Sequence, residues 1–341
     1  MLSASLSKVY VSTRFKFREK SDPLEDALQD ANLIPKNIKV LLSASEQRSI
    51  PTISKNAGLM QDIQEQVQAL PSSHCLLQAD SRNLEHFPDE SVHLVVTSPP
   101  YWNLKEYVKN PNQLAEIADY EQFLHELDFC WQQMLRVLVP GGRLIIVVGD
   151  VCVARRRFGR HMVFPLHASI QEHCRYLGFD NLAPIIWYKI ANANLEATGN
   201  GTSFLGKPYE PGGVIKNDVE YILMQRKPGG YRSPTLTKRV LSVIPETLHR
   251  QWFQQIWQDI KGASTRQHPA PFPLELPERL IRMFSFVGDT ILDPFMGSGT
   301  TCVAAASWGR NSIGVDVEPT YHSLALERMY KTYGLRAETT E

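Results

Sequence analysis

Hydrophobic positions along the chain follow two periods in turn. Short apolar runs at 75–78, 92–96, 143–148, 182–188 and 217–224 read as strands, and the β-branched run Val92-His93-Leu94-Val95-Val96 is the pattern of a parallel strand buried on both faces. Between them lie helical periods. Residues 120–139 place Phe123, Leu124, Leu127, Cys130, Trp131, Leu135 and Leu138 on one broad face, and Pro140-Gly141-Gly142 is expected to end that helix. A second helix is expected over 166–177. The alternation predicts an α/β chain with a parallel sheet. Residues 217–224 read as its last strand.

The first 72 residues are less regular. They hold polar helix-like pieces and a Ser-, Asn- and Pro-containing stretch from Ser43 to Asn56, and they end at Pro71-Ser72-Ser73. The start is Ser-rich and basic with a single acid, Glu19, a composition shared with transit peptides. Val9, Val11, Phe15 and Phe17 alternate with polar neighbours, which fits a half-buried strand equally well, and the cytoplasm is the expected location. From 191 to 262 the strand and helix alternation is interrupted by Gly206-Lys207-Pro208-Tyr209, Pro211-Gly212-Gly213 and Gly229-Gly230-Tyr231, the punctuation of an insertion.

Composition narrows the classes. The 341 residues are 43% hydrophobic, enough for a large core, and no apolar run reaches the roughly 20 residues of a membrane helix. Five scattered cysteines form no C-x-x-C pair, so neither a disulfide framework nor a metal site is expected. Lysine plus arginine (36) balance aspartate plus glutamate (36), which argues against a nucleic-acid coat but leaves local patches free. Two such patches stand out. Arg155, Arg156, Arg157 and Arg160 follow Asp150 with no acid before Glu172, and Arg226, Lys227 and Arg232 open an acid-free stretch rich in glycine. Each reads either as a phosphate-facing surface or as a solvated face.

Two stretches carry candidate chemistry. Ser98-Pro99-Pro100-Tyr101 ends the strand 92–96, where two prolines remove two N–H donors and leave carbonyl acceptors beside a flat ring. Acceptors with a stacking face suit a planar amine. Farther on, Asp293-Pro294-Phe295-Met296-Gly297-Ser298-Gly299-Thr300-Thr301 runs from strand through glycine loop into helix, so backbone can approach a ligand and the helix offers unpaired N–H groups. Asp316 ends the next strand, the position that grips ribose hydroxyls in Rossmann-type sites. Asp80 ends the strand 75–78 and reads as an acceptor for an adenine amine or as a helix N-cap.

The first stretch resembles the S-P-P-Y form of the motif of amino-group methyltransferases, and the second resembles the S-adenosylmethionine loop of the same group, the β group of DNA amino-methyltransferases. Their order, amine motif first and cofactor loop last, implies a Rossmann-like methyltransferase sheet that is circularly permuted, with an inserted target-recognition region. The resemblance covers about residues 74 to 333. It divides the chain into an N-terminal extension (1–73), a catalytic half (74–190), a target-recognition insertion with the last strand (191–262) and a cofactor-binding half (263–341).

The resemblance implies S-adenosyl-L-methionine as cofactor, double-stranded DNA as partner and a place in restriction–modification, and it allows a homodimer. Ser98, Pro99, Pro100 and Tyr101 would hold the amine of a flipped base, with Tyr101 stacking on it. Asp80, His268, Phe272, Asp293, Phe295, Gly297, Ser298, Gly299, Thr300 and Asp316 would bind the cofactor, and the two basic patches would contact DNA. Serine in the motif tends to accompany cytosine N4 in the family and aspartate adenine N6, so cytosine is the expected target and adenine the alternative. A cytosine-C5 enzyme needs a Pro-Cys pair, and none of the five cysteines follows a proline. RNA and protein-glutamine methyltransferases share a related motif but place the cofactor loop before it. A silent DNA-binding module would need neither motif intact.

Overall fold

The computed structural model describes residues 9–13, 28, 31–42, 46–102, 110, 112–153, 159–189, 217–262 and 272–333. Eleven strands are found among them. Nine form one sheet: β1 (Val9–Ser12), β2 (Ser72–Gln78), β3 (Val92–Thr97), β4 (Leu138–Val148), β7 (Asp180–Tyr188), β8 (Val219–Arg226), β9 (Ile256–Trp257), β10 (Thr290–Asp293) and β11 (Asn311–Asp316). Two more, β5 (Val151–Val153) and β6 (Met162–Phe164), pair as a separate hairpin. The large sheet runs β1-β2-β11-β10-β3-β4-β8-β7-β9, parallel throughout except for β8, which is antiparallel to β4 and β7.

Strand order and chain order disagree in the way a permuted fold requires. The last two strands of the chain, β10 and β11, sit in the middle of the sheet between β2 and β3. The carboxyl ends of β2, β11, β10 and β3 therefore lie side by side. Of residues 217–224, expected as the last strand, 219–224 belong to β8 and lie inside the sheet, because β7 and the two-residue β9 pair beyond them.

The strands are apolar on both sides for a packing reason. Leu144, Ile146 and Val148 of β4 face one core, built with α4 (Tyr120–Val137) and α5 (Leu166–Leu177), whereas Ile145 and Val147 face the other. That second core is closed by α8 (Glu275–Phe284) and α9 (Thr300–Ser307). α10 (Pro319–Tyr333) packs Ala325 and Met329 onto α9. The helix α4 ends at Val137, and the chain enters β4 at Leu138 with no intervening turn, so Pro140-Gly141-Gly142 lies within the strand. Gly141 has φ +75°, and a side chain there would meet the Gly230 carbonyl, which explains glycine at this point.

The N-terminal residues pack into the same body. β1 adds in parallel to β2, and α1 (Lys36–Leu42), α2 (Glu46–Ser54) and α3 (Ala57–Gln68) bury Ile38, Ile53, Ile63 and Val67 against Val240 and Leu241 of α6 (Leu236–Leu241) and against Val287. This small core lies at the amino edge of the sheet, just before β10. α7 (Glu246–Trp252) follows α6. No helix among the described residues is long and apolar enough to cross a membrane.

Candidate active site at the carboxyl edge

Four adjacent strand ends and the turns leaving them enclose a cleft with about 800 Å³ of empty space including its open mouth. Its walls carry Asp80 and Ser81 after β2, Ser98 and Pro100 after β3, Phe295, Gly297, Ser298 and Thr300 of the glycine loop, Asp316 and Val317 after β11, and Phe272. Residues more than 200 positions apart in sequence meet here because β2 and β3 flank the pair formed by the last strands.

The glycine loop is held from three sides. The Gly297 N–H donates to Asp316 Oδ2 at 2.9 Å, while Oδ1 accepts from the Glu318 N–H at 2.9 Å. Burial pushes the Asp316 carboxyl above its ordinary range. Arg328 of α10 donates to Thr300 Oγ1 at 2.8 Å and to the Ser298 carbonyl at 3.2 Å. The Ser81 hydroxyl donates to the Pro294 carbonyl. Gly299 has φ +73°, and a Cβ there would stand 3.0 Å from that of Ala325. Only glycine lets the loop turn into α9 so close to α10.

Asp293 does not face the cleft. It is 1% exposed and works behind the loop: Oδ1 accepts from Thr97 Oγ1 at 2.7 Å and from the Phe295 N–H at 3.1 Å, and Oδ2 accepts from Thr301 Oγ1 at 2.7 Å. It therefore ties β3, the loop and α9 together, and burial raises its pKa from 3.8 to about 6. The expectation that it binds a cofactor directly is corrected on this point. Asp80 is a wall residue and a turn-capping group at once. Its Oδ1 accepts from the Arg82 N–H at 2.9 Å, and its carboxylate takes the Arg82 guanidinium, which also reaches Glu126 at 2.5 Å.

At the end of β3 the motif forms a short relay. Ser98 Oγ donates to Tyr101 Oη at 3.3 Å, and Tyr101 Oη donates to the Val147 carbonyl at 3.3 Å, both long for hydroxyl bonds. With its proton directed at Tyr101, the half-buried Ser98 hydroxyl turns lone pairs outward. Tyr101 is 7% exposed and lies outside the cleft wall, so its ring is not an open stacking face, contrary to expectation. The next residue, Trp102, sits at φ +47°, a left-handed conformation rarely adopted by bulky residues. Burial, a bond from Nε1 to the Ile117 carbonyl at 2.9 Å and ring contacts with Tyr120 and Phe164 hold it there.

A second polar group surrounds the far side of Tyr101. Glu220, 7% exposed, pairs with Lys189, and Gly149 separates it from the Tyr101 ring; a Cβ at Gly149 would stand 3.3 Å from Glu220 Cγ and 3.5 Å from Tyr101 Cε2. Beside it, Asp150 Oδ1 lies 2.6 Å from His167 Nδ1, and the His167 ring stacks on Tyr221 at 3.7 Å. Neither cluster was expected. Their members come from the turn after β4, the end of β7, α5 and β8, and no local spacing links them.

The two basic patches separate. Arg160 is exposed on the β5–β6 connection that follows Asp150, at this same edge. Arg155, Arg156, Arg157 and His268, together with residues 191–216 of the expected insertion, lie outside the described residues. Arg226 pairs across the sheet with Arg143 in the middle of β4, five residues before Val148. At about 3.3 Å per residue it stands some 17 Å from the cleft edge, because β8 runs antiparallel. Arg226 is bound to Asp180 at 2.7 Å, Arg232 to the buried Asp289 at 2.6 Å, and Lys227 Nζ to the Leu138 carbonyl at 2.8 Å and Glu90 at 3.2 Å. These three are therefore corrected: they do not belong to the surface around the cleft.

Comparisons with known proteins agree with this geometry. A DNA methylase family model, N6_N4_Mtase, matches residues 92–327. The Type II methyltransferase M.MjaI of Methanocaldococcus jannaschii is 36% identical over 291 residues, spanning 76% of this chain and 92% of its own. M.MthZI of Methanothermobacter thermautotrophicus is 33% identical over 292 residues, spanning 79% and 80%. A crystal structure from Thermus thermophilus, assigned as a DNA modification methylase and complexed with S-adenosyl-L-methionine, is 54% identical, covers 78% of this chain and 98% of its own, and superposes with a TM-score of 0.63. The PvuII cytosine-N4-specific DNA methyltransferase, 19% identical, shares the fold with a TM-score of 0.55 over 79% of this chain and 88% of its own. With both motifs on one cleft and a family model matching more than half its length, the chain belongs to the N6/N4 DNA methylase family.

Proposed function

We propose that the protein transfers a methyl group from S-adenosylmethionine to N4 of cytosine in duplex DNA. The observation that carries the choice of base is Ser98: the motif presents a neutral hydroxyl, oriented as an acceptor by Tyr101, where an aspartate would present a charge.

The cleft fits the cofactor by its donor set. Asp316 keeps lone pairs for ribose hydroxyls after accepting two backbone N–H groups, Asp80 offers a carboxylate at the neighbouring strand end, and the N-terminus of α9 with Ser298 and Thr300 suits a carboxylate. Phe295 and Phe272 supply apolar walls. Arg328 stiffens the loop without entering the cleft wall. When bound, S-adenosylmethionine supplies an electrophilic methyl group on a positively charged sulfur.

The chain's own task is to position a weak nucleophile. The lone pair of an exocyclic amine is delocalised into its ring, and hydrogen bonds that favour a pyramidal nitrogen release it. Ser98 Oγ and the Pro99 carbonyl are the acceptors for the two amine protons, and the double proline keeps competing N–H donors away. Orientation rather than covalent catalysis lowers the barrier. A base stacked in a duplex cannot reach this recess, so the target nucleotide leaves the helix. Arg160 and the basic run preceding it are proposed to hold the surrounding phosphates.

Mass spectrometry of nucleosides from duplex DNA treated with enzyme and cofactor tests the reading. N4-methylcytosine is expected. N6-methyladenine as sole product would overturn the base assignment, and the absence of methylated nucleosides across varied duplexes would overturn the enzyme assignment.

A further inference from the structure

At the amino edge, opposite the cleft, a groove runs between α2, the β8–α6 connection, α7 and the end of α8. Its walls carry six cations, Lys55, Arg143, Arg226, Arg232, Arg239 and Arg282, against one carboxylate, Glu246. Arg226 and Arg232 are neutralised by Asp180 and Asp289, and Glu246 is engaged by Arg250 at 2.8 Å. Arg143 and Arg282 are different. Among the described residues neither guanidinium has a hydrogen bond or an ion pair; each is instead fixed by aromatic faces. Arg143 Cζ lies 4.4 Å from the Phe284 ring centroid, and Arg282 Cζ lies 3.7 Å from that of Trp308 and 4.9 Å from that of Trp252.

Stacking of this kind immobilises a planar guanidinium while leaving its N–H edge unused, which is how arginine is prepared for phosphate. Both are partly covered by protein. Burial lowers the pKa of Arg282 to about 10, with Glu278 one turn back opposing the shift, and burial together with Arg226 lowers that of Arg143. An anion entering the groove would relieve both. Stability alone gives no reason to gather such cations without partners.

We propose that this groove binds the phosphodiester backbone of single-stranded nucleic acid, through Arg143 and Arg282 in its walls and Lys55 at its rim. Two observations select this ligand. Arg143 and Arg282 are partly buried in the groove's walls, which suits a flexible strand rather than a stiff duplex rod. Tyr231, 87% exposed at the wall, is an open ring on which a base can stack. Because the start and end of β4 separate groove and cleft, strand binding and methyl transfer use different surfaces.

Fluorescence anisotropy with a labelled 15-residue oligothymidylate, over a salt series, tests this with the full chain. The expected result is salt-dependent binding that weakens at least fivefold in Lys55→Glu and in Arg143→Gln, the salt slope falling by about 0.7 for each contact removed. Lys55 is exposed, so its reversal leaves the fold intact, and circular dichroism checks Arg143→Gln. S-adenosylmethionine affinity, measured in parallel, is expected to stay within twofold in both. No oligothymidylate binding, binding that both variants leave unchanged, or a preference for duplex of equal length that depends on these residues would overturn the proposal.

Discussion

At the carboxyl edge of the sheet, carboxylates and hydroxyls are satisfied by backbone N–H groups and by one another, whereas at the amino edge two arginines stand stacked on rings with no hydrogen bond or ion pair among the described residues. Both edges belong to the same strands. The difference arises because parallel strands deliver their turns, with short polar residues and glycines, to one end, while the other end receives the helices that return the chain. The carboxyl edge is thus built to fix small groups within tenths of an ångström. The amino edge offers charge along a groove.

Breaking the carboxyl edge at the reacting position is expected to have the largest effect. Ser98→Ala removes one of the two proposed acceptors for the amine and should lower kcat by roughly 100- to 1,000-fold, the usual loss for one oriented polar group, while S-adenosylmethionine affinity changes less than twofold. Single-turnover methylation and calorimetry separate the two, and an unchanged kcat would remove Ser98 from the mechanism.

Asp293→Asn addresses the tie behind the loop. With the native pKa raised from 3.8 to about 6, the unfolded chain releases the proton first as pH rises, so the wild type loses stability through that window and no further above it. At about 1.4 kcal/mol per unit the loss is on the order of 3 kcal/mol. Asparagine cannot ionise. The stability of the variant relative to wild type should therefore rise between pH 4 and pH 7 in denaturant titrations, from whatever offset its altered bonds to Thr97 and Thr301 impose; parallel curves would show that Asp293 is ionised as readily in the native state as in the unfolded chain.

Asp316→Ala leaves the Gly297 and Glu318 N–H groups without their acceptor and takes away the proposed ribose partner. An affinity loss of about 2 kcal/mol, roughly 30-fold, is expected by calorimetry. Unaltered affinity in the folded variant would detach this acid from the cofactor. The smallest effect sharpens the contrast: Arg226→Gln, which breaks the pair with Asp180 at the amino edge, should leave methyl transfer to duplex DNA within about twofold. A tenfold fall would return this edge to the duplex-binding surface.

Much of the cleft was legible from local chemistry. Proline pairs, glycine loops and acids at strand ends constrain the backbone within a few residues, so Ser98, Gly297 and Asp316 were recognisable without any knowledge of their neighbours. Thr97, Ser81 and Arg328 were not. Their partners are Asp293, Pro294 and Thr300, and nothing in the local spacing of a threonine, a serine or a helical arginine indicates a bond to a loop 28 to 213 positions away.

The sequence by itself determined the strands that carry the two motifs, that the motifs belong to one chemistry and that their order is permuted, because periodicity and turn residues act locally. Only the tertiary structure decided direction and depth. The antiparallel course of β8 carries Arg226, Lys227 and Arg232 away from the cleft, and burial turns Asp293 from a wall residue into a tie and Tyr101 from a stacking ring into a hydroxyl relay. Strand direction and burial are properties of the assembled sheet, set by packing between distant segments, and no window of neighbouring residues contains them.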